Sequence, residues 1–235
     1  MTPYPSADGL FQLNPNAQAV LRPVGGRLPI LFIDDVFANP ARLRESALGL
    51  PFHEPPHPFH YPGKIAEPDG ADPSLKLFLG KILDLVNQEY LPRIPVILES
   101  GRPITAFSRV ETDFAIVDVH PNDVEPGQRT PHVDPVPIFG LVYLNPTERG
   151  GTLFFNSTGR NAGKERSGYF VEADSEYAFV GKIEGRFNRL AVYPGFVPHS
   201  GEIAGDWITT DERFSEPRLT QRLTFFTEPL GPQLR

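Results

Sequence analysis

The 235-residue sequence has no cysteine, a single methionine and a single tryptophan. Without cysteine there is no disulfide and no thiolate, so any bound metal must draw on histidine and carboxylate ligands. The absence also fits a reducing compartment. Basic residues are in short supply, 22 Lys and Arg against 29 Asp and Glu, for a net charge of −7. Such a balance favours solubility and argues against a nucleic-acid-binding surface, which needs a basic patch. No apolar run approaches the roughly 20 residues of a membrane span. The opening residues, Met1-Thr2-Pro3-Tyr4-Pro5-Ser6-Ala7-Asp8, show neither a basic nor an apolar leader region, so no signal peptide is expected. A cytoplasmic protein without nucleic-acid or membrane partners is the expectation.

What is plentiful is proline, 27 residues, and glycine, 21. Proline is at about twice its usual share, which points to turns and loops rather than a helical bundle. Apolar residues make up 40% of the chain, enough for a core. The length suits one domain, and no repeat, low-complexity tract or linker divides it. We expect a single domain over 1–235, with a mixed helical half (1–103) followed by a strand-rich core (104–230).

In chain order, residues 1–27 read as a polar arm or short strands, and Leu28 to Ile33 as an apolar strand. Asn39-Pro40 pairs an N-cap residue with a first-turn proline and predicts a short helix to about Leu48. A loop with His53, His57 and His60 follows, too rich in proline to converge its imidazoles as a helix would; it could line a substrate entrance. Asp72-Pro73 repeats the cap signal. From Ser74 to Tyr90, Leu75, Phe78, Leu79, Ile82, Leu85 and Val86 share one helical face, and Pro92 and Pro95 end it. From Ile104 onward the pattern is strand-like, with further strands at 136–144, 152–155, 177–183, 187–193 and 218–226. His120 reads as structural. Strands gathered after a helical half indicate a mainly β fold with α, a sandwich or jelly roll braced by the N-terminal helices.

The stretch that carries chemistry is Gln128-Arg129-Thr130-Pro131-His132-Val133-Asp134-Pro135. In extended backbone, residues two apart point the same way, so His132 and Asp134 can reach one metal ion while Val133 faces away. The flanking prolines favour that backbone. His199, in Val197-Pro198-His199-Ser200-Gly201, is the candidate third ligand. Two histidines and one carboxylate with the remaining positions open form the facial triad of non-haem Fe(II) oxygenases.

Downstream lie Leu141-Val142-Tyr143-Leu144-Asn145, Gly150-Gly151-Thr152-Leu153-Phe154-Phe155, the strand into His199 and Arg218-Leu219-Thr220. In this order and spacing, residues 104–227 resemble the Fe(II)- and 2-oxoglutarate-dependent oxygenase superfamily, most closely its prolyl-4-hydroxylase-like branch. The resemblance implies a double-stranded β-helix with the metal at its mouth, His132, Asp134 and His199 as the ligands, and Fe(II), 2-oxoglutarate and dioxygen as cofactor and cosubstrates. It implies hydroxylation of an aliphatic carbon in a small molecule, amino acid or peptide. Because Asp134 keeps the triad carboxylate, oxygen transfer rather than halogenation is expected.

The far carboxylate of 2-oxoglutarate needs a cation, in this family often an arginine followed two residues later by a hydroxyl. Arg218 with Thr220 fits, and so does Arg222 with Thr224; alignment of the apolar run after them favours Arg218. The gap from His199 to Arg218 exceeds the family's usual one, which makes 202–217 an inserted loop. Leu153 takes the register where a cosubstrate threonine is expected, so Thr152 is expected to point away. Tyr143 and Asn145 suit either strand packing and a turn or a pocket role, and Gln128 and Arg129 suit supporting or substrate contacts. Two competing readings stand beside this one: a cupin-like metalloprotein using the same ligands with zinc or manganese, and a non-catalytic jelly-roll binding module.

Overall fold

A computed structural model describes residues 9–55, 62–94, 103–120, 123–125, 128, 130–157, 176–203 and 216–227. The elements, in order, are β1 (Ala19–Val24), β2 (Leu28–Ile33), α1 (Pro40–Leu48), β3 (Lys64–Ala66), α2 (Pro73–Leu85), β4 (Arg109–Val117), β5 (Ile138–Tyr143), β6 (Thr152–Ser157), β7 (Tyr177–Ile183), β8 (Arg189–Pro194), β9 (His199–Gly201) and β10 (Arg218–Phe226). Seven strands form one antiparallel sheet in the order β1-β2-β8-β5-β10-β4-β3, and β7-β6-β9 form a second. The fold is mainly β, a jelly roll of the double-stranded β-helix type with two helices.

Strand alternation assigns the faces. On β8, Leu190 and Val192 point to the helices while Ala191 and Tyr193 point between the sheets. β5 does the same, with Ile138 and Val142 outward and Phe139, Leu141 and Tyr143 inward. Inside, these residues meet Phe154 and Ile183 of the small sheet. Outside, β10 contributes Leu219, Leu223 and Phe225 to a core that also takes Phe78 and Ile82 of α2 and Leu43 of α1. Phe37 and Phe78 pack with ring centroids 4.8 Å apart. Each such buried side chain is worth about 1.5–3 kcal/mol of transfer free energy.

Both helix starts form as their sequences predict. The Asn39 side chain accepts from Arg42 N at 3.2 Å, and the Asp72 carboxylate accepts from Ser74 N at 2.8 Å, satisfying donors that the first turn leaves open. The second helix differs from expectation at its end. α-Helical geometry stops at Leu85, a π-helical turn covers Val86–Tyr90, and a 3₁₀ turn covers Leu91–Arg93. Pro92 offers no N–H to residue 88 and its ring crowds that carbonyl, so the regular ladder ends early. The buried stripe still continues through Val86 and Tyr90. Among the described residues, no helix is long and apolar enough to cross a membrane.

β1 falls within residues 1–27, where an arm or short strands is the expectation, whereas β3 and β9 carry no strand signal of their own. β3 pairs with β4 and β9 with β6, so each is a strand by virtue of its partner. His53 lies in an isolated bridge to Ile65, contacts Glu67 at 3.2 Å and does not join the metal-ligand group; His57 and His60 lie outside the described residues. So do Arg129 and most of the inserted loop, 204–215.

Candidate functional site

The fold brings His132, Asp134 and His199 together, with one ligand atom from each lying within 4.8 Å of the others. Backbone hydrogen bonds do the placing. His132 N donates to His199 O at 2.9 Å, and His199 N returns a bond to His132 O at 2.8 Å. Asp134 N donates to Gly195 O at 2.8 Å, and Gly195 N to Pro137 O at 3.1 Å. A Cβ on Gly195 would stand 2.3 Å from Val136 O, so only glycine permits this close approach.

Side-chain geometry then aims the ligand atoms. His199 is buried, and its Nδ1 lies 2.8 Å from Val197 O. That contact places a proton on Nδ1 and turns Nε2 toward Asp134 Oδ2, 3.2 Å away. Such a backbone contact is the usual way a ligating imidazole is oriented. Asp134 Oδ2 is itself buried with no well-formed hydrogen bond. Burial pushes the Asp134 carboxyl up, but the His199 contact and the nearby His132 and Arg222 charges outweigh it and hold the group below the ordinary carboxylate range. A buried carboxylate oxygen facing an imidazole nitrogen calls for a positive charge between them, either a proton or a metal ion. The residues fit a divalent cation with nitrogen and oxygen preferences.

These groups open onto a cavity of about 290 Å³ lined also by Phe139, Leu141, Thr152, Tyr193, Arg218, Thr220 and Arg222. The three β10 residues share one face, as the two-residue period requires. Their environments differ. Arg218 is buried, donating from Nε to Gly150 O at 2.7 Å and from Nη2 to Gly151 O at 3.3 Å. The Gly-Gly pair makes this possible: Gly150 has φ of +73°, and a Cβ on Gly151 would stand 2.1 Å from Ile183 O. Arg222 instead forks onto its cross-strand neighbour Asp113, with Nε–Oδ1 at 2.6 Å and Nη2–Oδ2 at 2.5 Å.

Thr152 corrects the sequence expectation. It lines the cavity and its hydroxyl meets Tyr143 Oη at 2.7 Å, whereas Leu153 is not among the lining residues. The reason is register: Phe154 pairs with His199 and Thr152 with Gly201, which places residues 152 and 154 on the inner face. Burial raises the Tyr143 phenol to about 12. Asn145 is structural, its amide donating to Pro217 O at 2.8 Å and accepting from Leu219 N at 3.0 Å. Gln128 bonds locally to Glu125. His120 does not join the metal-ligand group. The residue that motif reading missed is Tyr193, whose inward parity on β8 was the available signal.

A family profile matches residues 15–162 and 156–226; its description is "Family of unknown function (DUF6445)". The chain belongs to DUF6445. Among curated proteins none matches this DUF6445 chain. Solved structures similar to it include a prolyl hydroxylase from Trichoplax adhaerens in complex with a hypoxia inducible factor oxygen degradation domain peptide fragment, 17% identical with a TM-score of 0.48, covering 85% of this chain and 84% of that one. Another is the non-heme alpha ketoglutarate dependent epimerase SnoN from nogalamycin biosynthesis, 13% identical with a TM-score of 0.41, covering 84% and 77%.

Proposed function

We propose that this protein is a cytoplasmic non-haem Fe(II)- and 2-oxoglutarate-dependent oxygenase that hydroxylates an aliphatic carbon of a small molecule, amino acid or peptide. The observation that carries the reading is the convergence of His132, Asp134 and His199 on one point, at a cavity whose wall holds the buried Arg218. His132, Asp134 and His199 would hold the iron from one side and leave its other positions to ligands. Bound there, iron supplies a reaction in which one oxygen atom of dioxygen enters succinate as 2-oxoglutarate loses carbon dioxide, and the other enters a C–H bond.

The chain's own residues bind, orient and shield. Arg218 commits Nε and Nη2 to the Gly150 and Gly151 carbonyls, which fixes its guanidinium plane and leaves Nη1 for the far carboxylate of the cosubstrate. Thr220, two residues on and on the same face, adds a hydroxyl. Phe139 and Leu141 supply an apolar wall that keeps water from the reacting centre. Arg222 is engaged with Asp113 and acts on the site through its charge.

A cupin-like site with zinc or manganese needs no deep arginine, and Arg218 in the cavity weighs against it. The test is anaerobic titration with Fe(II) and then 2-oxoglutarate, followed by dioxygen and assay of succinate with labelled oxygen in candidate products. Stoichiometric Fe(II) binding, saturable 2-oxoglutarate binding and oxygen-dependent succinate are expected. Metal binding without any response to 2-oxoglutarate would move the protein to the cupin-like class.

A further inference from the structure

Tyr193 on β8 is fully buried, lines the cavity, and its hydroxyl has no hydrogen-bond partner among the described residues. Its ring is fixed by packing: edge-on to Phe154 at 5.1 Å and 78°, edge-on to His199 at 5.2 Å and 71°, and tilted against Phe139 at 6.0 Å. A phenylalanine would make all of these contacts. The oxygen is therefore the one part of the side chain that packing does not explain, and it carries a desolvation cost that protein interiors rarely leave uncompensated.

The surroundings say what kind of group completes it. Among the described residues, the other phenol between the sheets, Tyr143, is already bonded to Thr152. Tyr193 shares the cavity with Arg218, a wall of donors suited to an oxygen-bearing anion. Depth assigns the ligand. Val133, at the mouth, is 52% exposed, whereas Tyr193 and Arg218 are 0% and 4% exposed, so a ligand touching Tyr193 is the deep-seated acid and not a substrate entering after it.

We infer that the Tyr193 hydroxyl donates a hydrogen bond to an oxygen of the 2-oxo acid bound in this cavity, a contact made only when that acid is present. The inference rests on the functional reading above and adds a binding residue to it. Carboxylate and keto oxygens only accept, so the phenol is the donor and needs no change of protonation.

Tyr193→Phe removes the oxygen and keeps the ring. With Mn(II) in place of iron, calorimetric titration gives metal and 2-oxoglutarate affinities without turnover, and thermal melting of the ligand-free protein reports the fold. The expected result is unchanged Mn(II) affinity, an unchanged or higher melting temperature, and 2-oxoglutarate binding weakened about tenfold, as for loss of a hydrogen bond to a charged oxygen. Equal 2-oxoglutarate affinity in both proteins overturns the inference and leaves the oxygenase reading standing. A lower melting temperature with unchanged 2-oxoglutarate affinity overturns it too, by showing that the hydroxyl has a structural partner. Wild-type protein that binds Mn(II) but no 2-oxoglutarate removes the oxygenase reading, and this inference with it.

Discussion

His132 and His199 exchange backbone hydrogen bonds, N to O in both directions, at 2.9 and 2.8 Å. Their rings consequently stand 4.7 Å apart, centroid to centroid. Two segments distant in the chain are thus joined at the site by main chain, and the imidazoles are carried by that bridge rather than forming it.

The first prediction follows from this division of labour. His132→Ala, Asp134→Ala and His199→Ala each keep the backbone bridge, so each should fold while losing high-affinity Fe(II) binding. Iron titration alongside thermal melting checks both parts. Wild-type iron affinity in any variant would exclude that residue from the triad.

The second prediction concerns the Gly-Gly turn that presents carbonyls to Arg218. In Gly151→Ala the new Cβ meets backbone, Ile183 O at 2.1 Å and Gly185 N at 3.1 Å, which cannot swing aside as a side chain would. Overpacking of this kind costs about 1–3 kcal/mol. Stability should fall by that amount in urea, and 2-oxoglutarate affinity should fall with it because the Arg218 anchor shifts. An alanine variant as stable as wild type would show that the turn yields more readily than its contacts imply.

A pH-dependent effect is expected at Asp34. Its carboxylate takes Arg189 Nε at 2.6 Å and Nη2 at 3.1 Å, with Arg186 Nη1 at 3.1 Å, tying the end of β2 to the start of β8. The Arg189 hydrogen bonds and the nearby arginine charges outweigh burial and lower its pKa below the ordinary 3.8. A depressed carboxylate contributes stability that is fully present above the unfolded-state value and lost as pH falls through the folded one. Asp34→Asn should therefore cost about 1–2 kcal/mol near pH 7, allowing for its partial exposure. The gap should begin to narrow as pH falls past the unfolded-state value of about 3.9 and close below the depressed folded-state value, where wild type has lost the same charge. A gap that persists at low pH would mean that the amide disrupts packing rather than charge.

Legibility in the sequence tracked how local each signal was. Asn39-Pro40 and Asp72-Pro73 started helices because a cap is a contact between near neighbours. The convergence of His132, Asp134 and His199 is readable because side-chain chemistry restricts what a metal accepts, whereas the strand period puts Arg218 and Arg222 on one face without choosing between them. Thr152 was misassigned because its orientation depends on which residue of β6 pairs with His199, and register across two strands leaves no mark within one. Tyr193 is hidden in the sequence for a related reason: an aromatic on an inward strand position reads as core. Only the neighbours brought by other strands show its ring satisfied and its oxygen not.

The two β10 arginines give the last prediction, because their strand face is shared and their partners differ. Arg218 is held by backbone carbonyls of Gly150 and Gly151, with its guanidinium 6.0 Å from the Tyr143 ring. Its positive charge meets no carboxylate among the ion pairs of the described residues, so an anionic ligand gains from it fully. Arg222 faces Asp113 as a bidentate pair, and its charge is largely matched. Arg218→Ala should weaken 2-oxoglutarate binding by one to two decades, since a hydrogen bond to a charged group is worth about 1.5–3 kcal/mol. Arg222→Ala should leave that affinity within a few-fold and instead lower stability by about 1–3 kcal/mol, because it strands the half-buried Asp113 carboxylate. The double variant Asp113→Asn with Arg222→Gln should recover part of that stability, which a cosubstrate role for Arg222 does not foresee. Calorimetry on the Mn(II) protein and urea unfolding separate the two effects. If Arg222→Ala shows the larger loss of 2-oxoglutarate affinity, the anchor lies four residues further along β10.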